Sequence, residues 1–73
     1  MAEPSDDLKR LLEVAADLRQ PAKLRTQAIK LIGNISTYDA LRALLDLAAN
    51  EKLTKEEREL ALKYAREIIK SGP

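Results

Sequence analysis

The apolar residues of this chain return every three or four positions, and they do so in four separate runs. Leu8, Leu11, Leu12, Ala15 and Leu18 share one face of a helix with ~3.6 residues per turn, which predicts a first helix over Asp6–Leu18. Ser5 stands where an N-cap is wanted, with Asp6 and Asp7 at the positive end of the helix dipole. Pro21 has no N–H to donate and a φ preset for a first helical position, so a second helix is expected to start there. Its inward set is Leu24, Ala28, Leu31, Ile32 and Ile35. Gly33 lies within this run, and because Ile35 continues the apolar face, the glycine is expected to admit a close neighbour rather than end the helix. Ser36 and Thr37 supply the next cap. A third helix follows on Leu41, Leu44, Leu45 and Ala48, with Asn50 as a left-handed stop. Thr54-Lys-Glu-Glu57 has the form of a capping box and opens a fourth helix over Lys55–Lys70 on Leu60, Ala61, Tyr64, Ala65 and Ile68.

Two of these runs are the same pattern written twice. A shift of 33 residues carries Leu8 to Leu41, Leu11 to Leu44, Leu12 to Leu45 and Ala15-Ala16 to Ala48-Ala49. The same shift carries Arg25 to Arg58, Ala28 to Ala61, Ile29 to Leu62, Lys30 to Lys63 and Ile35 to Ile68. Agreement falls mostly on apolar positions, as expected of a repeated packing unit. No run alternates as a strand would, so the fold class is all-α: four helices as two consecutive αα-hairpins. They could stack as a right-handed solenoid fragment or close into a four-helix domain, and the third helix should touch both the second and the fourth. Residues 1–4 read as a flexible leader, 5–71 as one domain with units at about 5–36 and 37–70, and 72–73 as a tail.

Asp39-Ala-Leu-Arg-Ala-Leu-Leu45, Glu59-Leu-Ala-Leu-Lys-Tyr-Ala65 and Arg25-Thr-Gln-Ala-Ile-Lys-Leu-Ile-Gly-Asn34 resemble the first- and second-helix patterns of HEAT and armadillo repeats. The resemblance implies a stack of helical hairpins that works as a scaffold or protein-binding unit.

Composition narrows the chemistry. The 73 residues contain no cysteine and no histidine, so the usual ligands of zinc, haem and iron–sulfur clusters are missing, as is the commonest general base. No cofactor or catalytic residue is expected. The 13 basic and 12 acidic side chains leave a net charge of +1, which exerts no global pull on nucleic acid or anionic lipid. No apolar run approaches the ~20 residues of a membrane span. Without a signal-like apolar segment near the start, a cytoplasmic or recombinant soluble protein is expected.

Three groups of residues remain as candidates. Arg19, Lys23, Arg25 and Lys30 lie between Asp17 and Asp39 with no acid among them, and could form a face for phosphate or an acidic partner. The near-zero net charge and the lack of interleaved aromatics weigh against nucleic acid. Leu62 and Ile69 on the fourth helix, with Val14 and Leu47 on the first and third, are apolar residues beside the main stripes. They could meet a protein partner or a second copy. The carboxylate pairs Asp6-Asp7 and Glu56-Glu57 are read as helix-start residues, and Tyr38 and Tyr64 as packing residues with a wet hydroxyl. Caps, dipole-matched charges and strong helix formers agree with one another throughout, as in a designed sequence. The expectation is a designed or structural helical-repeat module without catalysis, needing no partner or engaging a protein one. The alternative is a small domain binding nucleic acid or an acidic ligand through the basic face of the second helix.

Overall fold

The computed structural model describes residues 4–72 and contains four helices: α1 (Pro4–Ala16), α2 (Ala22–Ile35), α3 (Tyr38–Ala48) and α4 (Lys55–Ser71). No strand occurs among the described residues, so the all-α class holds. Residues 1–3 of the expected leader and Pro73 of the expected tail lie outside the described residues, while Pro4 already belongs to α1. Ser5 is therefore inside that helix rather than at its N-cap position.

Local chemistry decides where the helices stop. The Asp17 carboxylate accepts the Arg19 amide at 2.9 Å, a short-range bond that competes with helix continuation. It ends α1 before Leu18, which is left half exposed in the turn. Pro21 is the N-cap of α2 rather than its first residue, with φ −59° and ψ 147°. Ser36 does not cap α3: it closes α2 in the left-handed region at φ 57°, and its hydroxyl donates to the Gly33 carbonyl at 3.1 Å. Thr37 alone caps α3, accepting the Ala40 amide at 3.1 Å. Asn50, by contrast, is not left-handed; its side-chain oxygen accepts the Lys52 amide at 3.0 Å and turns the chain toward α4. The capping box is present as expected: Thr54 Oγ1 accepts the Glu57 amide at 3.1 Å, and Glu57 Oε1 accepts the Thr54 amide at 3.0 Å.

The helices pair as α1 with α2 and α3 with α4, and the two hairpins meet through α1–α3, α2–α4 and α2–α3. Among the described residues α1 and α4 do not meet, so the ring that closes an up-down four-helix bundle through its first and last helices is not formed. The extents, 31 × 28 × 16 Å, include one short dimension, whereas a square bundle would have two of roughly 15 Å. On α2, Arg25 and Gly33 meet Glu57 and Tyr64 of α4 in the same chain order, so those two helices run parallel.

The core is aliphatic and centres on Ile29, Ile32, Leu44, Leu47 and Ile68, with small residues Ala15, Ala28, Ala40, Ala61 and Ala65 letting the helices approach. Two helix faces and two single residues differ from the sequence expectation. On α2 the buried residues are Arg25, Ala28, Ile29, Ile32 and Gly33, while Leu24 and Leu31 are 43% and 50% exposed. On α3 they are Ala40, Leu41, Ala43, Leu44 and Leu47, while Leu45 is 42% exposed. Tyr38 is largely exposed rather than packed, and the loop residue Leu53 is buried. The cause is shared: α2 and α3 each carry two overlapping apolar stripes, and neighbours on both sides select the one that fits between hairpins.

Gly33 behaves as expected. A Cβ built there would lie 2.8 Å from Tyr64 Cγ and 2.9 Å from Tyr64 Cβ, inside any tolerable contact, so the glycine is what seats α4 on α2. Alanine at this position would gain about 1 kcal/mol of helix propensity but force the base of the tyrosine aside, an overpacking cost of about 1–3 kcal/mol. Gly33→Ala should therefore lower the urea midpoint, whereas Gly33→Ala combined with Tyr64→Ala should recover much of the loss.

Candidate functional site

The most structured polar group in the molecule lies where the hairpins meet. Arg25 projects from the first turns of α2 and is 8% exposed; Glu57 at the start of α4 is 2% exposed. The guanidinium donates to Glu57 Oε2 through Nε at 3.0 Å, and its Nη2 lies 2.9 Å from the same oxygen as an ion pair. Its third nitrogen, Nη1, donates to the Gln20 carbonyl at 2.6 Å and, more weakly, to the Leu18 carbonyl at 3.5 Å. With Oε1 of Glu57 held by the Thr54 amide, both carboxylate oxygens are satisfied. Burial pushes the Glu57 carboxyl up, but the Thr54 amide and the Arg25 guanidinium outweigh it and hold it below the ordinary value of 4.5.

This arrangement corrects the expected basic face. Arg25 is buried and fully engaged, so it is not available to a phosphate. Arg19 is exposed but paired with Asp17, Nε to Oδ1 at 3.1 Å, and that bond lowers the Asp17 carboxyl while raising the guanidinium. Only Lys23 and Lys30 stand exposed on α2 without such a bond, alongside Gln27 and the exposed Leu24 and Leu31. The four residues do not converge on one site. Sequence reading missed the Arg25–Glu57 pair because a charge on an apolar stripe is ordinarily assigned to solvent. The available signal was the repeat, which kept arginine at both 25 and 58 among otherwise apolar matches.

The apolar flanks divide as well. Leu47 is 2% exposed and belongs to the core, because α3 is covered by both α2 and α4. Val14 is half-buried against that core, Leu62 is half-buried and Ile69 is 60% exposed. Leu62 lines a surface groove of about 310 Å³ with Ala48, Lys55, Arg58 and Glu59. Within it, Arg58 Nε is buried and has no hydrogen-bond partner among the described residues. A second groove, of about 340 Å³, runs between α1 and α3 past Leu8, Lys9, Leu12, Arg42 and Asp46.

Among the described residues, no cluster of three or more His, Cys, Asp or Glu side chains could hold a metal ion, and no helix is long and apolar enough to cross a membrane. No family model matches the chain, and no curated protein or solved structure matches it at a significant level.

Removing one partner of a buried, hydrogen-bonded ion pair strands the other charge, at a cost of about 3–5 kcal/mol. Arg25→Met or Glu57→Leu alone should each destabilise strongly in urea titrations, while the double substitution should be milder than either single one. The lowered carboxyl also gives a pH signature. Its contribution is complete above the ordinary value of 4.5 and is lost as pH falls through the lower folded value. Glu57→Gln should therefore show a flatter decline in stability below pH 4.5 than the parent chain.

Proposed function

We propose that this chain is a non-catalytic helical module, two HEAT-like hairpins stacked in one direction, that acts as a scaffold or protein-interaction unit. The carrying observation is how burial changes between equivalent positions. Ala15, Arg25 and Ile29 of the first unit are 0%, 8% and 0% exposed, with Arg25 held against Glu57 of the second. Their counterparts 33 residues on, Ala48, Arg58 and Leu62, are only partly buried and line the groove at the far side of α3 and α4. Conversely, Leu44 and Leu47 are buried, whereas their counterparts Leu11 and Val14 are partly exposed on the opposite end. This is the pattern of a stack that has an interface in the middle and an uncovered face at each end. The 33-residue spacing is shorter than the ~40–47 of HEAT and armadillo units, so the likeness lies in the packing scheme rather than in repeat length. The side-chain caps of α3 and α4 and the dipole-matched charges of α4 support a designed or purely structural origin.

A stack gains an interface with each added unit, and two units are fewer than the three that ordinarily make one robust. The complete chain, extended after Pro73 by a flexible linker and a copy of residues 37–71, tests this. In that copy Tyr64 is replaced by Ala, because the counterpart of its glycine seat is Arg66. The extended chain should unfold in one transition, with Tm raised by about 5–10 °C. An added copy that melts separately, leaving the original transition unmoved, would refute the stacked reading. Filter binding of single- and double-stranded DNA at low ionic strength should show no salt-dependent retention; a steep salt slope abolished by Lys23→Gln with Lys30→Gln would favour the anion-binding alternative.

A further inference from the structure

We infer that the groove on α3 and α4 is a docking site for a partner helix with a carboxylate in its first turn, and that Arg58 receives that carboxylate. The inference rests on the stacked-hairpin reading and adds the chemistry of the occupant. The interface between the hairpins supplies the template. There, Arg25 projects from α2 beside buried Ala15 and Ile29, and the incoming helix, α4, brings Glu57 at its capped start onto Nε and Nη2. The 33-residue shift places Arg58, Ala48 and Leu62 in the same relation on the next face. What is missing is the acid: Arg58 Nε is already withdrawn from solvent yet donates to nothing among the described residues. A buried N–H without an acceptor is costly, and a carboxylate accepting from Nε and a terminal nitrogen together is the matching group for an arginine fork. Lys55 adds a second positive charge at the rim against the single carboxylate there, Glu59, so the lining keeps a net positive charge, and Leu62 and Ala48 offer the apolar floor on which a helix would rest.

A second copy of the chain does not fit this description. Continuing the stack head to tail would bring Leu24 of the incoming copy to the place that Glu57 occupies in the first interface. Pairing α4 with itself in antiparallel fashion about Leu62 would set Arg58 against Arg66, a like-charge contact. Neither arrangement delivers a carboxylate, so the occupant is assigned to a different protein whose helix begins with one.

The extended chain described above serves as the probe, because its added copy carries the Thr54–Glu57 cap. Four versions are compared by hydrogen exchange of the added helices: unaltered, Arg58→Gln in the original part, Glu57→Gln in the copy alone, and both together. Each single change should weaken docking of the copy about tenfold, and the double change no more than either. Arg58→Lys, which keeps the charge but lacks the planar fork, should fall between. A docked copy whose docking is indifferent to Arg58, or in which the two changes simply add, would overturn the carboxylate assignment while leaving the stacked reading intact. A copy that gains no protection at all would overturn both. A reversible dimer of the unextended chain in sedimentation, weakened by Arg58→Gln, would give the groove to a second copy and overturn the choice of partner.

Discussion

Among the described residues, one buried ion pair ties the two hairpins together where they meet. Charges are expensive to desolvate, and an aliphatic pair of equal volume would stabilise this interface at least as well. What the Arg25–Glu57 pair adds is direction. The guanidinium binds the carbonyls of the first interhelical turn as well as Glu57, and Glu57 in turn closes the cap of α4. Two loops and two helix starts are thereby tied at one point in the sixteen-ångström slab.

Around that point the remaining packing is undemanding. Alanines at 15, 28, 40, 61 and 65 bring the helices close, and branched or leucine side chains at 29, 32, 44, 47 and 68 fill the space between. Such a core would tolerate several arrangements of four amphipathic helices, as hydrophobic patterning alone generally does. The polar tie and the glycine seat are the two features that distinguish among them. The same logic explains why residues 33 apart differ in exposure: Arg25 and Ile29 face the junction of the two hairpins, and Arg58 and Leu62 do not.

Much of this was legible from residue order. Helix number, approximate bounds, the capping box and the role of Gly33 follow from periodicity and from the stereochemistry of individual residues. The orientation of α2 did not. Leu24 and Leu31 form a stripe as regular as Ile29 and Ile32 do, and Arg25 argues against the true face if it is counted as a surface charge. Only the partner, Glu57, reverses that weighting, and it lies 32 residues away in sequence. Leu53 and Leu47 were missed for a related reason: both are buried by neighbours beyond their own hairpin stripe rather than by local periodicity. The candidate groove was half visible, through Leu62 and the repeat, but its polar centre required knowing which arginine atoms had lost solvent.

The glycine seat has a geometric consequence of its own. Along α2, Arg25 and Gly33 are eight residues apart, about 12 Å; along α4, Glu57 and Tyr64 are seven apart, a little over 10 Å. The parallel helices are thus fastened at two separated points, one electrostatic and one steric. Sliding α4 by a turn would lift the tyrosine out of its notch and pull the carboxylate off the guanidinium together. A joint fastened at two places resists both sliding and pivoting, so the angle between the hairpins is set by this pair of contacts.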